Sequence, residues 1–475
     1  MPKVGLVSLG CPKNLVDSEV MLGLLARKGY ELTPHAGDAE VIIVNTCSFI
    51  GPAKQESIDT ILEMSEYKKK GVAKKLVVAG CLVERYRSQI LEEMPEVDFV
   101  IGTNELESVI EACQLSTAAR EAAPAAEPYL YHELTPRILS TPSYSGYIKI
   151  SEGCDHICSF CVIPQMRGRF RSRRFESVVR EAEGLVRQGV RELTLVGQDN
   201  TSYGDDLGLR EGLPLLLREL AQIPDLLWLR FLYCYPNRVT DALIEAVAES
   251  PKVAKYFDVP LQHASATVLK AMRRGSSGER FLRLIEKIRA SIPGVTLRTS
   301  LIVGFPGETE KDFETLMEFV EAAEFDRLGV FRYSNEETSA SFSLQDQVPA
   351  SVAENRRRKV LALQRKISRR KLKALLGKQL PVLVEGPAPE SELLLSGRLE
   401  SQAPEIDGRV FINDFEGEEP RPGACRWARI TGSSDYDLLA RLENRCFSEF
   451  PSPVPVHQDQ EMVEANASPV LQSLP

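Results

Sequence analysis

Three cysteines lie close together in one short segment of the chain. Cys154, Cys158 and Cys161 follow the spacing CxxxCxxC within the sequence SEGCDHICSFC. Thiolates at this spacing can each bind one iron of a four-iron, four-sulfur cluster, and the fourth iron stays open to another ligand. A structural zinc site with His156 as its fourth ligand is the alternative, although zinc sites more often use CxxC pairs.

Three further cysteines occur at nearly equal intervals near the start of the chain. Cys11, Cys47 and Cys81 each follow an apolar run, and the gaps between them are 36 and 34 residues, about one strand and one helix. The carboxyl ends of parallel strands lie along one edge of a sheet, where ligands bind. The pattern therefore predicts a second cluster site with three cysteines. Three small buried apolar residues are the alternative interpretation.

The elements that position these cysteines alternate between strands and helices in residues 1–115. The apolar runs are Val4–Leu9, Val41–Val44, Leu76–Ala79 and Phe99–Ile101, with helical spacing between them. This alternation predicts a parallel α/β sheet with crossover helices. Residues 116–139 are predicted to be a linker, because their first part reads STAAREAAPAAEP and cannot build a core.

A second strand–helix series occupies residues 140–371. The predicted strands are 147–150, 192–196, 227–231, 256–259, 296–303 and 327–331. Six strands with long helical crossovers predict an α/β sheet or a partial (β/α) barrel. A basic helix is predicted at residues 353–376, and linker helices of this kind commonly pair with acidic neighbours.

The pattern changes to short strands with Gly and Pro turns in residues 372–442. Five such strands, at 379–385, 393–398, 409–413, 425–431 and 436–441, predict a small β-barrel. Residues 443–475 are rich in Pro, Ser, Val and Gln without periodicity, so we predict a disordered tail. The fold class is therefore α/β multidomain with a C-terminal β-barrel.

Composition limits the classes of function and the compartment. The net charge is −9, which makes general nucleic-acid binding unfavourable. No apolar stretch is long enough to cross a bilayer, and the N-terminus lacks the features of a signal peptide. The sequence predicts a cytoplasmic protein whose ten cysteines stay reduced, so they are better candidates for cluster or metal ligands than for disulfides.

The cysteine pattern and the order of the predicted units resemble the radical S-adenosylmethionine methylthiotransferases. The CxxxCxxC motif before a strand–helix series is similar to radical S-adenosylmethionine enzymes, and the upstream cysteines and downstream barrel are similar to the methylthiotransferases. The resemblance covers residues 1 to about 442. It implies an N-terminal cluster domain, a radical core and a terminal TRAM barrel. It also implies two four-iron, four-sulfur clusters and S-adenosylmethionine as cofactors.

Within that family, residues 8–19, which read SLGCPKNLVDSE, resemble the branch that methylthiolates the β-carbon of an aspartate in small-subunit ribosomal protein twelve. The tRNA-modifying branch more typically has Gly-Cys-Gln-Met-Asn at this place. Residues 379–445 contain seven Arg, no Lys and thirteen Asp or Glu, a net charge of −6. A tRNA-binding barrel is expected to be basic, whereas an acidic barrel suits a basic protein substrate. A merely solvated acidic surface is the alternative.

The resemblance implies roles for both sets of cysteines. The open iron at Cys154, Cys158 and Cys161 would bind S-adenosylmethionine, whose reductive cleavage gives the radical that attacks the aspartate. The cluster at Cys11, Cys47 and Cys81 would hold the sulfur that is transferred. The chemistry then belongs to the clusters, so no catalytic side chain is assigned.

Four side chains are candidates for binding S-adenosylmethionine. Gln198 follows a predicted strand, Gln262 and Ser265 follow another, and Arg298 lies within a third, where it could pair with the cofactor carboxylate. Each has a structural role as an equal alternative. The run RGRFRSRR, residues 167–174, has five arginines that either bind an acidic group or RNA phosphate, or simply face solvent.

Two other functions remain as alternatives. Methylthiolation of tRNA adenosine would use the same six cysteines, and a zinc-bearing ribosome-assembly factor would not be an enzyme. The preferred function needs ribosomal protein twelve, free or within the ribosomal subunit, and an electron donor as partners, and no membrane.

Overall fold

The computed structural model describes residues 2–122, 129–447 and 470–471. Its N-terminal unit is a parallel sheet in the strand order β2-β1-β3-β4-β5, with apolar cores on both faces. Strands covered on both faces are continuously apolar, which explains the uninterrupted runs in the sequence. The elements are β1 (Lys3–Ser8), α1 (Pro12–Arg27), β2 (Glu31–Leu32), β3 (Val41–Thr46), α2 (Gly51–Lys69), β4 (Lys75–Gly80), α3 (Cys81–Glu93), β5 (Phe99–Ile101) and α4 (Val109–Ala112).

The central unit begins with a short segment that contains the second set of cysteines. A strand, β6 (Ser145–Lys149), is followed by β7 (Ser151–Glu152), α5 (Ile163–Arg167) and β8 (Arg171–Ser172). The two-residue strands β7 and β8 pair with each other in antiparallel fashion and close the base of the cysteine loop. The sequence pattern did not predict this small hairpin, because two residues are too few to show a period.

The remaining central elements form a partial barrel of six parallel strands, with β6 at one end. Two three-stranded sheets, β6-β9-β10 and β11-β12-β13, are joined by a bridge between Leu229 and Val253. The elements are α6 (Phe175–Arg187), β9 (Glu192–Val196), α7 (Gly212–Leu220), β10 (Trp228–Phe231), α8 (Asp241–Glu249), β11 (Tyr256–Asp258), α9 (Ala266–Ala271), α10 (Gly278–Ser291), β12 (Thr296–Val303), α11 (Glu310–Ala323), β13 (Arg327–Arg332) and α12 (Ala350–Lys373).

The C-terminal unit is a closed barrel of five strands in the order β14-β15-β16-β18-β17. Alternate residues such as Val382 and Val384 point into its core. Trp228 of the central unit packs against Leu383 of the barrel, so the two units share an apolar contact. The strands are β14 (Gln379–Ala388), β15 (Ser391–Arg398), β16 (Val410–Phe415), β17 (Cys425–Ser433) and β18 (Leu438–Cys446).

The N-terminal and central units are packed directly against each other. The core beneath α1 includes Tyr147, Val196 and Leu232 of the central unit. Arg137, in the predicted linker, donates hydrogen bonds to Glu19 on α1 at 2.6 and 2.8 Å and to Glu181 on α6 at 2.7 Å. This buried guanidinium fixes the orientation in which α1 meets the central strands.

The predicted fold class is confirmed. Helix α1 begins at Pro12, and proline suits the first turn of a helix. Helix α12 spans Ala350–Lys373 instead of residues 353–376. The domain bounds stay predictions. Residues 123–128 of the linker, and 448–469 and 472–475 of the predicted tail, lie outside the described residues, while β19 (Val470–Leu471) pairs with β1. No helix within the described ranges has both the length and the apolar character needed to cross a bilayer.

Candidate active site

The first cysteine trio, Cys11, Cys47 and Cys81, lies at one edge of the N-terminal sheet. Cys11 precedes α1, Cys47 follows β3, and Cys81 is the first residue of α3. Gly10 has a φ of +91°, and a Cβ atom there would lie 2.8 Å from the Cys47 Cβ. The absence of a side chain at Gly10 therefore lets the Cys11 segment approach Cys47.

The three thiols of the first trio influence one another electrostatically. Burial raises the pKa of Cys81 to about 12, and the nearby Cys47 and Cys11 add to this increase. Burial and Cys11 also raise the pKa of Cys47. Burial opposes ionisation of Cys11 as well, but Lys13 and Arg167 outweigh it and lower the pKa of that thiol. The trio is thus a group of mutually close thiols with two cations beside it.

The second cysteine trio, Cys154, Cys158 and Cys161, lies on the loop between β7 and α5. The Cys158 sulfur accepts a hydrogen bond from Arg274 Nη1 at 3.5 Å, and the Cys161 sulfur accepts one from the Ile163 amide at 3.5 Å. Burial raises the pKa of Cys154 to about 11 and of Cys161 to about 12, with the neighbouring thiols contributing. Cationic and amide donors therefore already point at two of the sulfurs.

His156, between the first two cysteines of this loop, is held by other groups. Its Nε2 lies 2.6 Å from Asp199 Oδ2, and its ring stacks on Tyr235 with 3.8 Å between ring centroids. Arg274 lies 4.3 Å from the same Tyr235 ring. The described part of the chain contains no group of three or more His, Cys, Asp or Glu side chains that could hold a single metal ion. A four-iron cluster differs from such a site, because each thiolate binds a different iron.

One loop after β10 connects the surroundings of both trios. Tyr235 stacks beside the second trio, and Tyr233, two residues earlier, contacts Lys13 beside the first trio, with the Lys13 Nζ 3.5 Å from the ring centroid. The Tyr233 amide donates to Asp258 Oδ2 at 3.0 Å. The region between the two trios, bordered by Tyr233 and Tyr235 and here called the common space, lies at the carboxyl ends of the central strands, the usual ligand position in α/β folds.

A buried network of charges lies beside this space and joins the two units. Arg167 Nη1 donates to Asp17 Oδ2 at 2.6 Å, and Arg167 Nη2 donates to Asn14 at 3.0 Å. Lys149 is paired with Asp17 and, at 2.7 Å, with Glu152. Burial opposes ionisation of Glu152, but Lys149 and Arg167 lower its pKa to about 2. The positive charges of Arg167 and Lys149 therefore balance the negative charges of Asp17 and Glu152 within the interface.

The four predicted cofactor contacts divide into two groups. Gln198 Nε2 donates to Glu152 Oε1 at 3.2 Å near the second trio, while its buried Oε1 has no hydrogen-bond partner among the described residues. Arg298 Nη1 donates to Asp258 at 2.6 Å, which places it behind Tyr233. Both therefore lie around the common space, and their binding roles stay predictions.

The other two predicted contacts are Gln262, whose backbone bonds β12, and Ser265, whose side chain bonds α11. Gln262 has a φ of +73°, and its backbone bonds Ser300 and Ile302 of β12. The Ser265 hydroxyl donates to Asp312 on α11, which directs it toward the helical layer. The structure thus brings Gln198 and Arg298 to the common space and points Ser265 away from it. Their roles toward a cofactor also stay predictions.

The arginine run at residues 167–174 alternates between buried and accessible side chains. Arg167 and Arg173 are buried and paired with carboxylates, Arg173 with Glu181. Arg169 is 91% exposed, and Arg174 is also exposed. Part of the run is therefore structural. The basic helix α12 likewise pairs with acidic neighbours, for example Arg356 with Glu308 and Arg370 with Glu324.

Sequence reasoning missed the residues that border the common space besides the cysteines. Lys149 and Glu152 stand in the otherwise apolar segment YIKISEG, and Asp17 stands in the buried face of α1. Charged residues inside an apolar run are a usable signal, because burying an isolated charge is unfavourable and implies a partner. Lys13 gave no comparable signal, since helix starts often carry polar residues.

Three family matches cover most of the chain in succession. An uncharacterized protein family, UPF0004, matches residues 3–102, the Radical SAM superfamily matches residues 148–320, and the TRAM domain matches residues 376–442. These ranges fall on the N-terminal sheet, the six-stranded partial barrel and the closed five-stranded barrel. Each family match therefore coincides with one structural unit.

Curated relatives match along nearly the whole length. The chain is 61% identical over 442 residues to a ribosomal protein uS12 methylthiotransferase of Solibacter usitatus, covering 93% of this chain and 94% of that protein. It is 55% identical to the protein of the same name from Koribacter versatilis, covering 93% and 96%. The Myxococcus xanthus protein of that name is 50% identical, covering 95% and 96%.

Solved structures show likeness of fold. The radical S-adenosylmethionine methyltransferase TsrM from Kitasatospora setae, with tryptophan substrate and a cofactor analogue bound, superposes with a TM-score of 0.52 at 17% identity. The alignment covers 70% of this chain and 73% of that one. At this identity the comparison supports the arrangement of the sheet and the partial barrel alone.

Proposed function

The chain belongs to the family of ribosomal protein uS12 methylthiotransferases, which are radical S-adenosylmethionine enzymes, and we propose that its two cysteine trios hold the two clusters that this reaction needs. The enzyme transfers a methylthio group to the β-carbon of an aspartate in uS12. The observation that carries the proposal is the pair of trios that border one space, in a chain 61% identical to its relative.

The residues present fit two iron–sulfur clusters. Each trio contains three thiols and no disulfide, and each has a cation beside it, Arg167 at the first and Arg274 at the second. A cluster ligated by three thiolates is anionic, so a neighbouring cation stabilises its ligands in the charged form. When bound, the clusters and S-adenosylmethionine supply the radical and the sulfur that is transferred.

The chain's own residues bind and orient these groups. The buried amide oxygen of Gln198, which lacks a protein partner in the described chain, is available to the amino group of S-adenosylmethionine. The stack of His156, Tyr235 and Arg274 fixes the loop of the second trio. The Arg167 network holds the first trio at a constant separation from the second.

The barrel that follows the core is acidic, with a net charge of −6 over residues 379–445, which suits a basic partner. Its exposed carboxylates include Glu390, Asp414 and Glu416, at 56, 54 and 48% exposure. Opposite charge mainly speeds encounter and favours the correct partner. We propose that uS12 is recognised through this surface, and that the reaction takes place in the cytoplasm with an electron donor that reduces the second cluster.

Mass spectrometry of a strain that lacks this gene tests the proposal. We expect uS12 to lose the mass of one methylthio group, while tRNA retains all of its methylthio adenosine. Complementation with the wild-type gene restores uS12, and a gene with all six trio cysteines changed to Ala serves as the matched control. Loss of methylthio adenosine from tRNA with uS12 still modified would instead support the tRNA reaction.

A further inference from the structure

Lys13 is a buried cation beside the first trio. Its side chain is 7% exposed and lies two residues after Cys11, in the first turn of α1. Its Nζ contacts the Tyr233 ring at 3.5 Å, and its charge acts on the Cys11 thiol. Within the described ranges, Lys13 forms no salt bridge with a carboxylate. A buried ammonium needs partners that replace the water it has lost, and within the chain Lys13 has the Tyr233 side chain and the Cys11 thiol in place of a carboxylate.

The other cations around the common space have partners. Arg167 and Lys149 bond Asp17 and Glu152, and Arg298 bonds Asp258. Arg274 donates to the Pro260 carbonyl at 2.6 Å and to the Cys158 sulfur. Among these cations, Lys13 is therefore the lysine at this space without a carboxylate partner in the described chain, and it can bind a carboxylate from outside the chain.

The surroundings of Lys13 are fixed in place. Tyr233 has a φ of +60°, an uncommon conformation for a bulky side chain. Its amide donates to Asp258 at 3.0 Å, and its carbonyl accepts a hydrogen bond from the Asn200 amide at 3.0 Å. Backbone strain of this kind persists only where neighbours hold it, and it occurs mostly at functional sites. Tyr233 thus presents its ring to Lys13 from the central unit.

We propose that Lys13 binds the carboxylate of the target aspartate and so positions its β-carbon between the two trios. This proposal rests on the proposed function. The β-carbon is bonded directly to the carboxylate carbon, so the carbon cannot enter the common space unless the charged group enters with it. A buried carboxylate requires a cation, and Lys13 lies on the side of the space where the sulfur-donating trio lies.

The test compares how tightly the holoenzyme binds two forms of uS12, with Asp or Asn at the target position. Wild type is expected to bind the Asp form about 10- to 100-fold more tightly, the range for a charged hydrogen bond. Lys13→Met is expected to bind both forms equally weakly, and Lys13→Arg to recover part of the preference. Fluorescence anisotropy of labelled uS12 gives each Kd, independently of turnover.

Matched controls separate this role from a structural one. Lys28→Met removes the same charge from the exposed end of α1 and is expected to preserve the preference for Asp. Met can remain against the Tyr233 ring. Because Lys13 also acts on the Cys11 thiol, iron content is measured for each variant and the uS12 affinities are compared at equal iron content.

Three results would overturn the proposal for Lys13. These are a Lys13→Met enzyme that still prefers Asp, a wild-type enzyme that modifies uS12 without preferring Asp in binding, and a Lys13→Met enzyme whose main loss is affinity for S-adenosylmethionine. The last would assign Lys13 to the cofactor carboxylate. In contrast, a wild-type holoenzyme that cleaves S-adenosylmethionine but never modifies uS12 would contradict the proposed function itself.

Discussion

Arg167 of the central unit and Asp17 of the N-terminal unit form a buried ion pair, with Nη1 2.6 Å from Oδ2. Arg167 lies six residues after Cys161, and Asp17 lies six residues after Cys11. The pair therefore ties α5, which follows Cys161, to α1, which follows Cys11. The relative position of the two trios depends on this contact and on its neighbours Lys149 and Glu152.

Arg167→Met is expected to destabilise the protein strongly. The substitution leaves Asp17 and Glu152 with Lys149 as their shared cation, so one buried carboxylate charge is left uncompensated. Breaking a buried pair in this way typically costs about 3–5 kcal/mol. Urea unfolding of the cluster-free protein, followed by tryptophan fluorescence, measures the change without a contribution from iron loss.

The matched control for this prediction is Arg169→Met, two residues away. Arg169 is 91% exposed and lies 3.5 Å from Asp155 at the surface, and such pairs contribute little to stability. We expect its urea midpoint to remain at the wild-type value. Equal destabilisation by both substitutions would show that the loop, and not the ion pair, determines the stability of the interface.

Glu192→Gln is expected to weaken the contact between the central unit and the barrel in a pH-dependent manner. Glu192 is fully buried and lies 3.1 Å from Arg230 and 2.5 Å from Arg398. Burial alone would raise the pKa of Glu192, but Arg398 and Arg230 outweigh it, so the pKa is lowered. The ionised carboxylate therefore stabilises the fold at pH values above the ordinary Glu pKa of about 4.3.

The sign of the pH effect follows from that lowered pKa. Gln resembles the protonated form of Glu192, so the difference between variant and wild type should be largest near neutral pH, about 3–5 kcal/mol. It should shrink as the pH falls below about 4 and wild-type Glu192 gains a proton. Trp228, which packs against Leu383 of the barrel, reports this interface by fluorescence.

Glu390→Gln is the control on the same barrel, since Glu390 is 56% exposed and pairs with Arg409 at the surface. Its urea midpoint should follow that of wild type at each pH. A constant difference between Glu192→Gln and wild type from pH 7 to pH 3 would contradict the assignment of the lowered pKa to Glu192.

Removing one trio at a time is expected to leave one cluster. Changing Cys11, Cys47 and Cys81 to Ala should reduce iron from about eight to about four atoms per chain and preserve cleavage of S-adenosylmethionine. Changing Cys154, Cys158 and Cys161 to Ala should cause the same loss of iron and abolish that cleavage. Iron and sulfide analysis after anaerobic reconstitution, with deoxyadenosine measured by chromatography, checks both results. Loss of all iron from either variant would show that the trios form one site.

The sequence predicted the fold well because its signals are local. The runs at Val41–Val44 and Leu76–Ala79 are continuously apolar because both faces of their strands are buried, and the structure contains β3 and β4 there. The regular spacing of Cys11, Cys47 and Cys81 follows from the same alternation of strands and helices. The sequence pattern was sufficient to place these cysteines at one edge of the sheet, because each of them adjoins the end of a strand or the start of the next helix.

The partners within the candidate site were not predictable in the same way. Asp17 and Arg167 are 150 residues apart in the chain, and their pairing depends on how α1 packs against β6. The Ser265 hydroxyl donates to Asp312 because α11 lies within reach, and the local sequence around Ser265 does not reveal this contact. Local spacing contains no information about which distant element covers a given loop, so tertiary packing decided these contacts.

Gly10→Ala is expected to remove the first cluster while leaving the fold largely intact. Gly10 has a φ of +91°, and an added Cβ would lie 2.8 Å from the Cys47 Cβ and 3.1 Å from its sulfur. Either Cys47 or the Cys11 segment must then move. Gly71→Ala is the matched control, because Gly71 has a φ of +77° but no atom within 4 Å of an added Cβ.

Both alanines carry the backbone penalty of a left-handed conformation, about 1–2 kcal/mol, and Gly10→Ala adds the cost of its contact with Cys47. The two variants should differ in their iron content. In a chain whose second trio is already Cys→Ala, the iron that remains reports the first trio alone, about four atoms per chain. Gly71→Ala should retain this iron and Gly10→Ala should lose most of it. If Gly10→Ala kept its iron, the close approach of Cys11 and Cys47 would not be needed for the cluster. The first trio would then tolerate the displacement of Cys47 or of the Cys11 segment that the added Cβ atom requires.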